Sequence, residues 1–67
     1  MINQYFIIRL CEYGYLQKQD DLIVVINPRF EWSIDFAQHF TTYDSALIYL
    51  EKLPIGRYQI EKIIEKI

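Results

Sequence analysis

The fold is decided by the stretch TYDSALIYLEKLPIGRYQI, residues 42–60. Thr42 is a favourable N-cap for a helix, because its side-chain oxygen can accept a hydrogen bond from a backbone N–H of the first turn. Apolar residues then recur at the spacing that places side chains on one helix face, and these are Ala46, Leu50 and Leu53. Pro54 cannot continue a helix. The stretch therefore predicts one helix over residues 43–53, followed by a tight turn at residues 55–56.

Segments rich in β-branched and aromatic residues account for the rest of the chain. Residues 5–10 predict a first strand, the uncharged run at residues 22–26 a central strand covered on both faces, and the alternating residues 30–34 a half-buried strand. The tail after residue 57 is ambiguous. Alternation starting at Tyr58 favours a strand, whereas a helix would also suit the spacing of Ile60, Ile63, Ile64 and Ile67.

These elements predict a single α+β domain spanning residues 1–67, in which one helix packs on one face of a small antiparallel sheet of three to four strands. A turn is expected over residues 12–15, where Gly14 can adopt a backbone conformation that other residues avoid. The predicted core joins helix and sheet, and its members are Ile8, Val24, Trp32, Leu47, Leu50, Leu53, Tyr58 and Ile60.

A chain of 67 residues is short for a stable domain. A domain of this size buries only about 60% of its unfolded surface, so a partner is a common source of extra burial. Cys11 is the only cysteine, which excludes an internal disulfide. The uncharged run at residues 22–26 is a place where a second copy could pair to form a homodimer, although residues 13–17 could cover it within one chain.

Charge and hydropathy narrow the classes of partner. The formal net charge is −2 and the seven basic residues are scattered, which makes a nucleic-acid partner unlikely on sequence grounds. No run reaches the roughly 18 apolar residues of a membrane span, and the first residues do not resemble a signal peptide. We expect a cytoplasmic protein without a membrane partner, located in the host cytoplasm if a phage encodes it.

Residues with catalytic or metal-binding chemistry are few. Cys11 and His39 are single residues with no evident third group, and we expect Cys11 to be a small packing residue. Asp20 and Asp21 lack the ligand spacing and glycine of a calcium loop and suit a solvated turn. Cysteine and histidine are too few for a zinc site. We therefore expect no enzyme activity, no cofactor and no metal.

A longer pattern begins at Trp32. It reads Trp32-x-x-Asp35-x-Ala37-x-x-Phe40-x-Thr42-x-x-x-Ala46, then Leu50, then Leu53-Pro54-x-Gly56-x-Tyr58-x-Ile60. This pattern resembles small uncharacterised proteins of phages and prophages in low-GC Gram-positive bacteria. The resemblance covers the second half of the chain well and the first strand loosely. It implies a β-β-β-α-β layout and brings no catalytic residues.

The first functional hypothesis is a phage or prophage accessory protein that binds a host or phage protein, for example an inhibitor of a host defence such as an anti-CRISPR protein. The chain is rich in aromatic residues, and tyrosine is favoured at protein contacts. The residues expected to contact the partner are Tyr13, Tyr15, Phe30, Ile48 and Tyr49. One alternative is a small nucleic-acid-binding or regulatory module, in which aromatic side chains would stack on bases. Another is a structural or virion-assembly part, or a host protein of some other kind.

Overall fold

The computed structural model describes residues 2–18 and 28–66. Its elements, in chain order, are β1 (Ile2–Leu10), β2 (Gly14–Leu16), β3 (Phe30–Glu31), α1 (Tyr43–Glu51) and β4 (Tyr58–Lys66). The strands form one antiparallel sheet in the order β3-β2-β1-β4. The predicted α+β architecture, a four-stranded antiparallel sheet with a helix packed on it, is confirmed. The strand and the dimer contact predicted at residues 22–26 lie outside the described residues, as does Val24 of the predicted core.

The strand β1 is the organising strand of the sheet. It pairs with β4 along its whole length, from Ile2 opposite Lys66 to Leu10 opposite Tyr58. On its other edge, the last residues of β1 pair with β2. In the middle of β1, the backbone groups of Phe6 and Phe40 exchange two hydrogen bonds of 2.8 Å. The strand predicted at residues 5–10 is therefore confirmed and begins three residues earlier.

Both faces of β1 are buried in the middle of the strand. Ile7 and Ile8 are neighbours in sequence, so their side chains point to opposite faces, yet each is 0% exposed. The face towards α1 carries the main core, whose buried members are Ile8, Leu16, Phe40, Ala46 and Leu53. The opposite face carries a second, smaller cluster, whose buried members are Tyr5, Ile7 and Ala37. The sheet thus separates two apolar clusters.

The helix begins as its sequence predicts. Thr42 has extended backbone angles, and its Oγ1 accepts a hydrogen bond from the backbone N–H of Ser45 at 3.1 Å. The last helical residue is Glu51, two residues before the predicted end, and Leu53 is nevertheless buried in the main core. The prediction that Leu47 is buried is wrong, because it is 37% exposed. It lies about 100° around the helix from buried Ala46, at the margin of the contact with the sheet.

The tail of the chain is a strand, so the helical alternative is excluded. As β4 alternates, Tyr58 and Ile60 pack against the main core and Ile63 packs against the second cluster. The isoleucines whose spacing also suited a helix therefore lie on both faces of the sheet. Ile64, opposite Gln4 at the end of the sheet beyond the start of α1, remains 59% exposed.

A tight turn joins β1 to β2, and Gly14 ends it with a φ of +114°. The predicted turn is confirmed in place, although Gly14 and Tyr15 already belong to β2. A Cβ on Gly14 would lie 2.5 Å from the carbonyl carbon of Glu31 and 2.9 Å from the backbone nitrogen of Trp32. Glycine is therefore required twice here, for its φ and for the close approach of the next chain segment.

Replacement of this glycine should destabilise the fold strongly. Gly14→Ala is expected to lower the free energy of unfolding by about 1–3 kcal/mol, because the φ is unfavourable and the clash is with backbone. Gly56→Ala is the matched control, since its added methyl would meet the side chains of Leu10 and Tyr58, which can move. Urea denaturation should show the larger loss for Gly14→Ala. An equal or smaller loss than for Gly56→Ala would contradict this interpretation of the turn.

Candidate functional site

The chain between β3 and α1 contains an apolar loop, residues 32–36, that presents large apolar side chains to solvent. Trp32 is 58% exposed, Ile34 is 41% exposed and Phe36 is 70% exposed. Clusters of exposed apolar side chains on a protein of this size are typical of interaction sites. The apolar loop is therefore the candidate functional site.

The exposure of Trp32 corrects the sequence analysis, which placed this residue in the core. The predicted strand at residues 30–34 is only two residues long, since β3 ends at Glu31. Phe30 packs against the main core as alternation requires, but the backbone leaves the sheet before Trp32 can follow it. The indole instead lies edge-on to the ring of Tyr15, with 5.6 Å between centroids. Tyr15 belongs to the second cluster, on the face opposite α1.

A buried amide holds the first half of the apolar loop. Gln17 is the buried polar residue of the described chain, and it follows directly after the last residue of β2. Its Nε2 donates to three backbone carbonyls, those of Tyr15 at 3.0 Å, Glu31 at 3.1 Å and Ser33 at 3.1 Å. The amide nitrogen carries two N–H groups, so one of them is shared between two of these carbonyls, and the side chain links β2, β3 and the start of the apolar loop. It also ties the loop to β2 on both sides of Trp32.

The second half of the loop is bound to the same segment. The N–H of Lys18 donates to the carbonyl of Phe36 at 2.7 Å, and the N–H of Gln38 donates to the carbonyl of Leu16 at 2.8 Å. Within the loop, the N–H of Ala37 donates to the carbonyl of Ile34 at 3.2 Å. Residues 16–18 therefore lie between the start and the end of the loop and bond to both, which restricts its backbone.

Few charged residues lie in or beside the apolar loop, and one of them is Lys18, whose N–H bonds to Phe36. Asp35 is the charged residue within the loop. At its entrance, Glu31 forms an exposed ion pair with Arg29 at 2.9 Å. The surface that the loop offers is thus apolar and aromatic, with a carboxylate at its margin.

The residues predicted to contact a partner are spread over the molecule. Only Tyr15 is shown to touch the apolar loop, through Trp32. Phe30 packs against the main core and against Tyr58, with 6.0 Å between ring centroids. Tyr13 and Ile48 are exposed, in the β1–β2 turn and on α1. As a contact set, the five residues stay a prediction.

Tyr49, the fifth predicted contact residue, lies on the side of the helix that faces the sheet. It packs against the main core, and its ring lies 5.3 Å from that of Phe40 between centroids. Burial raises the pKa of the Tyr49 hydroxyl above 10.0. The side chain therefore stabilises the contact between helix and sheet.

The single cysteine and the single histidine do not form a catalytic pair. Cys11 is exposed, contrary to the expected packing role, and lines a depression of about 400 Å³ with Tyr13. His39 lines a different depression of about 430 Å³ beside Phe36, and its ring stacks on Tyr5 at 3.7 Å between centroids. Tyr5 and Cys11 are six residue steps apart along β1 and its end, a distance of about 20 Å in extended chain.

On the face of the sheet opposite α1, Tyr5 also links β1 to β4. Its hydroxyl donates a hydrogen bond of 2.9 Å to Oε1 of Glu65. Burial, and then this bond to a carboxylate, raise the pKa of Tyr5 above its usual value, so the hydroxyl keeps its proton and remains a donor.

Residues 2–18 and 28–66 offer neither a metal site nor a membrane-spanning helix. These residues contain no cluster of three or more His, Cys, Asp or Glu side chains suited to a metal ion. Nor does this part of the chain contain a helix of the length and apolarity needed to cross a membrane. Comparisons with protein-family models, curated proteins and solved structures give no match.

Loss of the Gln17 amide should loosen the apolar loop. Gln17→Leu keeps the volume approximately but removes the three bonds of a buried amide to Tyr15, Glu31 and Ser33, so we expect the free energy of unfolding to fall by about 1–3 kcal/mol. The fluorescence anisotropy of Trp32, the only tryptophan, should also fall as the loop gains freedom.

Gln38→Leu is the matched control, because within the described residues the side-chain amide of Gln38 bonds to the exposed carbonyl of His39 alone. It should leave both measurements near those of the unmodified chain. A stable Gln17→Leu variant with unchanged Trp32 anisotropy would show that the amide does not hold the loop.

Proposed function

We propose that this chain is a non-catalytic protein that acts by binding another protein through the apolar loop. The observation that carries the proposal is the exposure of Trp32, Ile34 and Phe36 on a loop whose two ends are bonded to residues 16–18. Leaving these side chains in water forgoes the stabilisation that their burial would give, and a partner surface supplies that burial.

The geometry of the loop suits tight binding. Tryptophan and other aromatic side chains contribute most often to the energetic centre of protein interfaces. A loop already held by Gln17 and by the backbone bonds of Leu16 and Lys18 loses little conformational freedom when a partner binds. Pre-organisation of this kind raises affinity without any new contact.

The more specific form of the proposal is a phage or prophage accessory protein that inhibits a host defence, of the anti-CRISPR kind, in the host cytoplasm. The resemblance from Trp32 to Ile60 supports it, as do the small size and the net charge of −2. Trp32 and Asp35, which open that pattern, lie in the apolar loop, so part of the pattern coincides with the proposed contact surface.

A protein partner is favoured over nucleic acid because the loop contains no basic residue. Single-stranded nucleic acid is normally held by aromatic side chains together with basic groups that follow the backbone. Beside the loop, Arg29 is already engaged with a carboxylate, since it pairs with Glu31 at 2.9 Å, and Lys18 is the other basic residue.

Removal of the apolar side chains of the loop should abolish binding without unfolding the domain. We expect the tagged chain to retain a protein from a lysate of a low-GC Gram-positive host, and the triple variant Trp32→Ser, Ile34→Ser, Phe36→Ser to lose it. These side chains are exposed, so the melting temperature of the variant should stay close to that of the unmodified chain.

The matched control is Ile48→Ser with Ile55→Ser, which removes exposed apolar side chains outside the loop. It should retain the same protein, and nuclease treatment should not change the recovery. Equal recovery by the loop variant would contradict the proposed surface. Nuclease-sensitive recovery would favour the nucleic-acid-binding alternative.

A further inference from the structure

The outer edge of β4 lies at the opposite side of the sheet from β3 and from the apolar loop that follows β3. Within residues 2–18 and 28–66, β4 pairs with β1 on one side and with nothing on the other. The strand runs for nine residues, Tyr58–Lys66, and contains no proline or glycine. A long regular strand edge offers rows of backbone donors and acceptors to another strand.

The hydrogen bonding of β1 shows which residues of β4 point outwards. The backbone N–H and carbonyl of Phe6 both bond to Phe40. Phe6 therefore does not bond to Lys62, the residue opposite it in β4. At the end of the ladder, the N–H of Cys11 donates to the carbonyl of Arg57 at 2.9 Å. Bonded and non-bonded pairs alternate in an antiparallel ladder. The backbone groups on the outer edge are therefore those of Tyr58, Ile60, Lys62, Ile64 and Lys66.

The geometry points to a second copy of this chain as the occupant, with β4 paired antiparallel to β4 about a two-fold axis at Lys62. Pairing the strand with itself over its full length places each outward-pointing residue opposite another outward-pointing residue. Every outer N–H and carbonyl then finds a partner, which is the condition for a regular antiparallel ladder. The result is a continuous sheet through both copies, with β4 at its centre.

The side chains in this register complement one another. On the α1 side, Ile60 meets Ile64 of the second copy, so the exposed Ile64 gains an apolar neighbour. Tyr58 meets Lys66 of the second copy, where an ammonium can lie against an aromatic ring. On the other side, Gln59 meets Glu65, an amide opposite a carboxylate. These contacts recur twice because the pairing is symmetric.

Lys62 meets its own copy at the axis, which is an unfavourable contact, and on the other side of the sheet Glu61 faces Ile63 of the second copy. Like charges opposite each other destabilise strand pairing by a modest amount. This lysine therefore weakens the dimer, and its replacement tests the proposed pairing.

Because β3 lies at the other edge of each sheet, the two apolar loops remain accessible in the dimer.

Sedimentation of the full chain tests the dimer directly. At micromolar concentration the mass should be twice the 8.2 kDa of one chain. Lys62→Thr should tighten the dimer about threefold, and Ile64→Lys should weaken it about tenfold, because the latter removes two apolar pairs and adds positive charge beside Lys62. Ile55→Lys makes the same chemical change at an exposed site outside β4 and should have no effect.

Hydrogen exchange gives a second measurement that does not depend on a variant. In the dimer, the amides of Ile60, Lys62 and Ile64 should be protected together with those of Glu61 and Ile63, which bond to β1. A monomeric mass at high micromolar concentration, with the three outer amides exchanging rapidly, would overturn the inference. So would a dimer whose affinity is unchanged by both Lys62→Thr and Ile64→Lys.

Discussion

The double burial of β1 is the constraint on which the rest of the structure depends. Ile7 and Ile8 are both fully buried, so a domain of 67 residues has to cover a sheet on two faces. The helix covers one of them. On the other, Tyr5 and Ile7 are buried together with Ala37, from the segment between β3 and α1. That segment therefore has a structural role in addition to connecting two elements.

The path of this segment links the fold to the candidate site. After Glu31 the chain leaves the edge of the sheet, and by Phe40 it has reached β1 near its middle. Residues 32–36 form the bend between these two positions and turn their apolar side chains outwards. Gly14 permits the close approach at the beginning of the bend, and Gln17 satisfies carbonyls on both sides of Trp32. The residues that stabilise the domain are thus the same residues that present the apolar loop.

Much of the fold could be predicted from the sequence where the signals are local. The Thr42 cap and Pro54 bracket the helix within a few residues of its observed ends, and the alternation at Tyr58 identifies a strand against the competing helical spacing. Leu47 shows the limit of periodicity, since the margin of a helix contact depends on how the short helix rests on the sheet. The unusual conformation of Gly14 was foreseen, but not the chain segment that approaches it.

The candidate site was less accessible to sequence reasoning. Trp32, Ile34 and Phe36 alternate with polar residues, which is the pattern of a half-buried strand, and nothing nearby in sequence shows that the strand ends at Glu31. The decisive group is the amide of Gln17, 14 residues before Glu31. A glutamine after a short strand is ordinarily a solvated residue, so its burial depends on tertiary structure. Of the predicted contact residues, Tyr15 alone is shown to touch Trp32, and its aromatic character is the one local signal that pointed towards the site.

Fluorescence quenching of Trp32 tests the central claim most directly, because it is the only tryptophan of the chain. An exposed indole on a braced loop should emit at the long wavelengths of a solvated tryptophan and be quenched efficiently by acrylamide. Its anisotropy should match the tumbling of the whole domain. Short-wavelength emission with little quenching would place Trp32 in the core, as strand alternation alone predicts, and would contradict the apolar loop as a contact surface.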